Sequence, residues 1–493
     1  MKEPEDVESN GLSNTEKILT FEEERPSLNP HNWSTTRKTL ILAINFALVV
    51  NATNGTSLAS GGVKATVKHF GVEDAYGWRV LPVSIYLIGY SIGSVLLAPL
   101  SEDYGRRPVN LLSTFGFMIG MVVCAVAPTW AVFIVARLFT GVFAAGPPST
   151  AGGICADLYA KDLHRGHAIL GYNMATQIGA VFGPIISGWA VMHSWSLPFW
   201  VGLGIGAFCL TASILGMPET NHNVILNKRA KQIQQTQQTQ QTQIPRGPLQ
   251  EKKFVWKEFA TNTLLRPLSM LKEQIVLFSC LYIAFQYAVF YIFLQSYPII
   301  YEGIFSFNTG EDGLTFIGFG IGVLLTVPAQ YAFDQIYKNA LSKERPWTKH
   351  HGAKRLPPAC ASGPLIVLSL FLSAWTSKAS IHWIFSALSG IPYGLGYILN
   401  LNALLNYMVD SYKTYASSAS SASSITRQMM GAMLPFAAVP MYRKLGVDWA
   451  SSLLGFCALV MAAIPFLFWI YGEKMLEKSK LAQKLAEDEK AVG

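Results

Sequence analysis

Long apolar stretches separated by short polar segments run along most of this chain. Each stretch is long enough to cross about 30 Å of hydrocarbon as a helix. The pattern therefore predicts an all-α membrane protein. We predict twelve transmembrane spans in two groups of six, at residues 38–58, 79–99, 109–127, 130–150, 168–190, 197–217, 275–300, 313–337, 358–377, 381–408, 416–441 and 447–472.

A polar segment separates the two groups of spans. It contains Gln232–Gln243, a run of glutamines and threonines that cannot bury a core. We expect this run to be a disordered linker; association through the glutamines is the alternative. The N-terminal segment has no apolar stretch after a basic start, which argues against a signal peptide. The predicted organisation is a tail, a six-helix bundle, a linker, a second six-helix bundle and a tail, at residues 1–37, 38–217, 218–274, 275–472 and 473–493.

Composition agrees with the membrane class, because 51% of the residues are hydrophobic and only 14% are charged. A net charge of +8 is also typical of proteins that bind nucleic acid or acidic lipid. Most lysines and arginines, however, lie in the tails and in alternate loops, which is the distribution of cytosolic segments. We therefore predict cytosolic termini and no nucleic-acid partner.

The six cysteines occur singly within apolar stretches and never with the spacing of metal ligands. We interpret them as packing residues, which leaves neither a disulfide framework nor a metal site. No group of His, Asp, Glu or Cys residues recurs within the spans to supply a nucleophile and a base. The sequence therefore argues against an enzyme, and it indicates no cofactor.

A charged segment, Leu97–Val109, joins the second and third predicted spans. Gly105 and Pro108 within it favour a tight turn. Its charged side chains cannot lie in hydrocarbon, so we predict a short cytosolic hairpin. The two adjacent arginines are able to hold a carboxylate, and a solvated loop is the alternative. The charged residues are Glu102, Asp103, Arg106 and Arg107.

Small residues with helical spacing predict close contacts between spans. A glycine pair four residues apart lies on one helix face and permits another backbone to approach. Proline in the fifth span removes a hydrogen bond and bends the helix. Tight packing of bent helices explains this pattern, and a transporter needs the same positions as pivots. The predicted pivots are Gly179, Gly183, Pro184 and Gly188.

Two arginines lie deep within predicted spans, Arg137 in the fourth and Arg427 in the eleventh. An unsatisfied charge at this depth costs several kcal/mol, so each must face a cavity or a partner; snorkelling to the interface is the alternative. No Asp or Glu lies near the middle of any predicted span, although a cationic substrate needs a buried carboxylate. We therefore expect an anionic or neutral substrate in preference to a cation.

Polar and aromatic side chains within the spans outline the rest of a predicted cavity. In the tenth span they recur with helical spacing and form one stripe. Such stripes also hold helices together, which is the alternative. Besides the two arginines, the predicted cavity residues are Asn51, Asn54, Asn173, Gln177, Gln286, Tyr291, Gln295, Tyr393, Tyr397 and Asn400.

Several motifs stand together in this chain: the loop APLSEDYGRRPV, the glycine-proline pattern of the fifth span, Arg137-Leu-Phe-Thr-Gly141, Pro218-Glu219-Thr220, Asn406-Tyr-Met-Val-Asp410-Ser-Tyr412 and Tyr442-x-x-Leu445-Gly446-x-x-Trp449-Ala450. In combination they resemble the major facilitator superfamily, and most closely the twelve-spanner drug:proton antiporters of fungi. The resemblance covers roughly residues 31–472. The chain departs from the family pattern at Asp103, which follows Glu102, and at Asn221 and Val224 after the sixth span.

The resemblance implies alternating access, in which two six-helix halves rock about a central site. The loop between the second and third spans would act as a latch on the cytosolic side. There Glu102 would pair with Arg106 and with basic or helix-end groups of the other half, and Asp157 would join the cluster. Arg137 would take part in substrate or proton coupling. The family implies a proton-binding group, for which the sequence leaves open Asp157, Glu302, Asp410 and Arg137.

The resemblance further implies export of toxins, drugs or secondary metabolites across the plasma membrane by proton antiport. The partners would be a small-molecule substrate, protons and the lipid bilayer, and the protein would act as a monomer. Proton-coupled uptake of a nutrient and export of polyamines are the alternatives. The fifth-span pattern is associated with antiport in the family and favours export. A channel would need no paired halves with glycine-proline pivots.

Overall fold

The computed structural model describes residues 21, 26–72, 76–160, 162–236, 265–350, 352–412 and 415–479. Within these ranges the chain is helical and contains no strand. Large parts of the predicted tails and linker lie outside the described residues, including most of the glutamine run.

Nine helices precede the gap at residue 237 in the described part of the chain. α5 and α6 follow each other across Ala145, and together they are long enough to form one span, Trp130–Leu158. Prolines 147 and 148 at the start of α6 account for the break, because they lack the N–H that would continue the helix. The nine are α1 Thr35–Ser57, α2 Val63–His69, α3 Tyr76–Asp103, α4 Arg106–Ala125, α5 Trp130–Ala144, α6 Gly146–Leu158, α7 Asp162–Ala190, α8 Leu197–Gly216 and α9 His222–Thr236.

A second set of helices follows the gap. A π-helical turn, Pro298–Glu302, extends the first long helix of this set. Short 3-10 helices occur at Pro26–Leu28, Pro30–Asn32 and Pro346–Lys349. The helices are α10 Arg266–Met270, α11 Gln274–Tyr297, α12 Thr309–Leu314, α13 Ile317–Ser342, α14 Leu356–Thr376, α15 Trp383–Leu388, α16 Gly390–Ser411, α17 Ala416–Met433 and α18 Pro435–Lys478.

Eleven helical segments in the described part are long and apolar enough to cross a membrane. α17 is not among them, because much of its sequence is serine. α18 has 44 residues, about 66 Å of helix, which is roughly twice the hydrocarbon thickness. Gly446, with a φ of 75°, breaks α18 into two segments. α17 with the first segment, and the second segment alone, supply the last two of twelve spans, as the sequence predicts.

One segment of the predicted disordered linker is helical. α9 covers His222–Thr236 and so includes the first glutamines of the run. The side chain of Asn221 accepts a hydrogen bond from the Val224 N–H at 3.2 Å, which caps the helix start. Val224 and Ala230 are buried against the rest of the protein. The predicted disordered run, Gln232–Gln243, overlaps this helix only as far as Thr236, and the rest of the run lies outside the described residues.

The charged segment between the second and third spans is shorter than predicted. α3 continues to Asp103 and α4 begins at Arg106, which leaves only two residues between them. Gly105 has a φ of 108°, a conformation that glycine adopts without strain. The charges therefore lie on the terminal turns of two helices, because helices extend beyond the hydrocarbon into the polar interface.

The two halves meet along two sets of helices: α17 packs against α3, and α12 and α13 pack against α7. We call the end of the molecule where α1 begins and α18 ends the inner end, and the opposite end the outer end. Gly313 of α12 lies so close to α7 that a Cβ there would be 2.5 Å from the Pro184 carbonyl oxygen. The halves are thus in tight contact towards the outer end.

Candidate functional site

A cavity of about 790 Å³ lies between the two halves and opens at the inner end. Its volume is within the range of sites that bind small molecules, roughly 300–1,000 Å³. Arg355 donates to Asp410 at 2.7 Å, so these two charges offset each other. The other charged residues that line the cavity are mainly basic. The charged residues among the described lining are Arg165, Arg266, Lys354, Arg355 and Arg427 against Glu102 and Asp410.

Arg427 lies at the blind end of this cavity. Its guanidinium stands 5.5 Å above the ring of Tyr287, which is a cation–π contact. Tyr90 and Tyr172 line the same space as Arg427, and the Tyr397 hydroxyl contacts the guanidinium. The Nε atom of Arg427 is shielded from solvent and has no hydrogen-bond partner among the described residues. Arg427 thus lines the cavity and keeps one buried donor without a partner among the described residues.

A serine face on α17 leads from the cavity mouth to Arg427. The spacing of three and four residues places these serines on one side of the helix, together with Arg427. The sequence contains the signal for this face, a repeat of two serines and one alanine, which our sequence analysis did not use. The serine face also explains the low hydropathy of α17, since this face meets the aqueous cavity instead of lipid. The serines that line the cavity are Ser417, Ser418, Ser420, Ser421 and Ser424.

Most of the other predicted cavity residues lie behind the cavity wall in this conformation. Asn173 is the one that lines the cavity besides Arg427. The rest are buried, and many bond to one another, because polar side chains in hydrocarbon are satisfied best by a neighbouring helix. In this conformation the residues that do not line the cavity are Asn51, Asn54, Gln177, Gln286, Tyr291, Gln295, Tyr393, Tyr397 and Asn400, and their role in the cavity stays a prediction.

Two of these bonds join the two halves. Asn173 of α7 donates to the Asn402 side chain of α16, and the Gln177 amide donates to the Tyr397 hydroxyl at 3.4 Å. Others lie within the second half, where the Asn400 amide donates to Gln286 Oε1 at 3.0 Å. The Tyr393 hydroxyl donates to the Gln286 carbonyl at 2.6 Å, and Tyr287 and Tyr291 touch through hydroxyls 3.1 Å apart. These contacts satisfy polar groups that are buried behind the cavity wall.

Arg137 has a structural environment that differs from the one predicted. It is completely buried and is not among the residues that line the cavity. Its guanidinium donates to the carbonyls of Pro82, Gly55 and Thr56 at 3.0, 2.9 and 3.1 Å. The latter two belong to the last turn of α1, whose carbonyls have no partner within the helix. Arg137 therefore caps α1 and joins three spans of the first half.

The charged cluster at the inner end is arranged differently from the predicted latch. Arg106 contacts Asp157 at 3.5 Å and donates to the Ser101 hydroxyl at 2.5 Å. Glu102 and Asp103 are exposed, and Glu102 faces the open cavity mouth. In this conformation Asp157 therefore takes the place of Glu102 as the partner of Arg106. The reason is geometric, because with the inner end open no opposing helix lies close to Glu102.

Glu219 completes this cluster and was not among the predicted latch residues. Its carboxylate accepts hydrogen bonds from the backbone N–H groups of Arg106 and Arg107 at 2.8 and 3.2 Å. It also accepts from the N–H groups of Thr220 and Asn221, both at 3.0 Å. A carboxylate stabilises a helix N-terminus by satisfying its free donors and opposing its dipole. Glu219 thus holds the start of α4 from a position more than a hundred residues away.

Replacing Glu219 with glutamine is expected to destabilise the first half by about 1–3 kcal/mol, because an amide NH₂ would face the backbone donors. The measurement is the apparent melting temperature of purified protein, followed by tryptophan fluorescence. Asp103→Asn removes an exposed carboxylate nearby and is the matched control. Equal melting temperatures for both variants would contradict the capping role.

The outer end carries a second charged group that joins the halves. Lys64 of α2 forms an ion pair with Glu302, which ends the π-helical turn of the second half. Beneath it lies Asp312 of α12, which is only 4% exposed and whose Oδ1 has no partner among the described residues. α12 packs directly on the segment of α7 that carries the predicted pivots, where a Cβ at Gly188 would also overlap with Thr309. Sequence reasoning missed Asp312 because it lies at the edge of a predicted span.

Comparison with known proteins identifies the fold. A family model described as Major Facilitator Superfamily matches residues 44–435. A citrinin biosynthesis cluster MFS transporter of Monascus ruber is 32% identical over 464 residues, covering 92% of this chain and 90% of the relative. A multidrug transporter of the same superfamily from Aspergillus fumigatus is 32% identical, covering 94% and 75%.

Among solved structures, the human organic anion transporter MFSD10 has a TM-score of 0.57 at 15% identity, and the match covers 87% of this chain and 99% of that one. This likeness supports the fold, namely two six-helix halves that enclose a central cavity. The predictions of an all-α membrane fold, of transport and of a protein that is not an enzyme are therefore confirmed. With a family model that matches most of its length and relatives 32% identical over nearly all of it, this chain belongs to the Major Facilitator Superfamily of transporters.

Proposed function

We propose that this protein exports small organic compounds from the cell, anionic or neutral in preference to cationic, by proton antiport across the plasma membrane. The observation that carries the proposal is Arg427, a cation with an unused donor at the blind end of an electropositive cavity. An organic cation would meet this charge without a carboxylate to offset its own desolvation. An anion or a polar neutral compound fits the site.

The relatives support the direction of transport. Export is the role expected of transporters whose names refer to a biosynthesis cluster for citrinin and to multidrug transport. In the proposed cycle, a monomer with cytosolic termini rocks its halves, 38–217 and 275–472, about the cavity. The conformation described here, open at the inner end, is the one that would load substrate from the cytosol.

The test is an untargeted comparison of small molecules in cells and medium, from the native host with and without this gene. We expect compounds that accumulate inside the deletion strain and disappear from its medium. Compounds that stay unused in the medium would instead establish uptake, and accumulated polyamines would contradict the preference for anions.

We propose Asp312 as a proton-binding group of this cycle. A buried carboxyl group without a cationic contact favours its neutral form. The charged and titratable groups around it are Glu302, Lys64, Tyr297 and Tyr301. Opening of the outer end would separate α12 from α7 and expose Asp312 to the medium. A proton taken up there would then allow the outer end to close again.

Asp312→Asn is expected to make export insensitive to external pH and to slow it by about tenfold or more, because the amide imitates a permanently protonated carboxyl group. The measurement is the export rate from intact cells in acidic and in neutral medium. Asp448→Asn, which removes a half-exposed carboxylate paired with Lys378, is the control. Export by Asp312→Asn that still follows external pH would remove Asp312 from the cycle.

A further inference from the structure

A small niche of about 40 Å³ adjoins the blind end of the central cavity. It shares Arg427, Tyr172 and Ser424 with the cavity lining, so the two spaces adjoin each other at these side chains. Since one water molecule occupies about 10–15 Å³ on this measure, the niche has room for roughly three waters. That is also the space that a single carboxylate group needs.

The niche is lined by one cation and by neutral hydrogen-bonding groups from both halves. Tyr90, Ser149 and Tyr172 come from the first half, and Tyr287, Ser424 and Arg427 come from the second. No acidic residue is among the described residues that line it. The niche therefore offers one positive charge and several hydroxyl groups to a ligand, which matches a ligand group with a single negative charge.

Neighbouring side chains hold the guanidinium of Arg427 in place, but not all of its hydrogen-bond donors have a partner. The Tyr287 ring lies beneath it, and the Tyr287 hydroxyl donates to Gln428 at 3.0 Å, which fixes that ring. The Tyr397 hydroxyl contacts one part of the guanidinium. The Nε edge remains buried without a partner. Two parallel hydrogen bonds from one edge of a guanidinium to a carboxylate are the strongest way to satisfy such a group.

We propose that the niche is the binding site for a carboxylate group on an aromatic substrate, with Arg427 as its ion-pair partner. This inference rests on the proposed function, because the niche is the end of the transport cavity. Tyr172 and Pro148 line both the niche and the adjoining part of the cavity, so the flat ring that carries the carboxylate packs on them. The serine face of α17 provides hydroxyl partners for the oxygen atoms of the remaining molecule.

The site also links binding to the movement of the halves. Without a bound ligand, Arg427 loses its hydration when the inner end closes, and this desolvation is costly unless an anion pairs with the guanidinium. A bound carboxylate supplies that anion and contacts tyrosines of both halves. Substrates without this charge therefore bind more weakly in the cavity, although its shape accepts them.

The experiment uses the purified full-length protein and two probes of the same shape, naphthoate and naphthamide, in equilibrium dialysis. We expect the wild-type protein to bind naphthoate at least tenfold more tightly than naphthamide, since the charged ligand gains an ion pair. Arg427→Gln is expected to weaken naphthoate binding by roughly tenfold to a hundredfold and naphthamide binding by less than about threefold, since the amide loses a hydrogen bond but no ion pair. Retained naphthamide binding shows that the variant is folded.

Two further variants separate the niche from general electrostatics. Arg427→Lys keeps the charge but loses the planar pair of donors, so naphthoate affinity falls between those of the wild type and Arg427→Gln. Arg266→Gln removes a basic residue that lines the cavity but not the niche. We expect a loss of less than about threefold for it, and this loss disappears at high salt because a solvated charge is screened.

Three results would overturn the proposal: equal affinity of the wild type for both probes, no binding of naphthoate, or an unchanged preference in Arg427→Gln. The host comparison tests the proposed export function independently of these binding measurements. If the host comparison shows export while the probes bind equally, only the carboxylate site is wrong. If naphthoate binding depends on Arg427 but the deletion strain accumulates nothing, the site stands and the export proposal fails.

Discussion

Replacing Arg137 with alanine is expected to abolish transport because little folded protein reaches the membrane. The substitution leaves the carbonyls of Gly55, Thr56 and Pro82 without their donors in a region that excludes water. Each buried unsatisfied group costs about 1–3 kcal/mol, and three of them approach the whole net stability of a typical domain, about 5–15 kcal/mol. The cation–π contact with Tyr86 is lost as well. The measurement is the amount of monodisperse, fluorescently tagged protein in membrane extracts.

Two variants serve as references for Arg137→Ala. Val135→Ala shortens a side chain on the same helix that faces away from the protein and should be neutral. Arg137→Lys keeps one charged donor and should recover part of the folded protein. If Arg137→Ala were as abundant and stable as the wild type but inactive, the prediction made from the sequence, a direct role in coupling, would be correct instead.

Gly183→Leu is expected to have an effect of similar size, through overlap of two helix backbones. A Cβ at this position would lie 2.8 Å from the Ser57 carbonyl carbon and closer still to its hydroxyl. The Ser57 hydroxyl is itself fixed by a 2.7 Å hydrogen bond to the Ala180 carbonyl, so it has no room to move. Inserting even one methyl group into such a contact costs about 1–3 kcal/mol, and leucine adds three more carbons. α1 and α7 would have to separate.

The matched control is Gly204→Leu, since Gly204 also lies in a helix but has no atom within 4 Å of a Cβ built there. We expect the control to fold and transport normally, and Gly183→Leu to be lost from the membrane or inactive. The measurement combines membrane abundance with the efflux found in the host comparison. Normal efflux by Gly183→Leu would show that the contact between α1 and α7 is not required.

The sequence by itself determined the membrane class and the number of spans. A bilayer imposes a minimum length on every apolar segment and requires each backbone to satisfy its own hydrogen bonds, so local hydropathy finds all the spans but the one that begins with the serine-rich α17. It also indicated that Arg137 and Arg427 need a partner or a cavity, because a charge at this depth is costly unless something offsets it. The motifs then pointed to the correct superfamily.

Only the tertiary structure decided what each polar residue contacts. It placed Arg137 on the last carbonyls of α1 and Arg427 at the cavity end, although the two look alike in sequence. It brought Glu219 to the start of α4 and buried Asp312 at the outer end. Periodicity reveals which residues share a helix face, but the helix that meets this face is set by packing between segments far apart in the chain. The partner of a buried polar group is therefore a property of that packing.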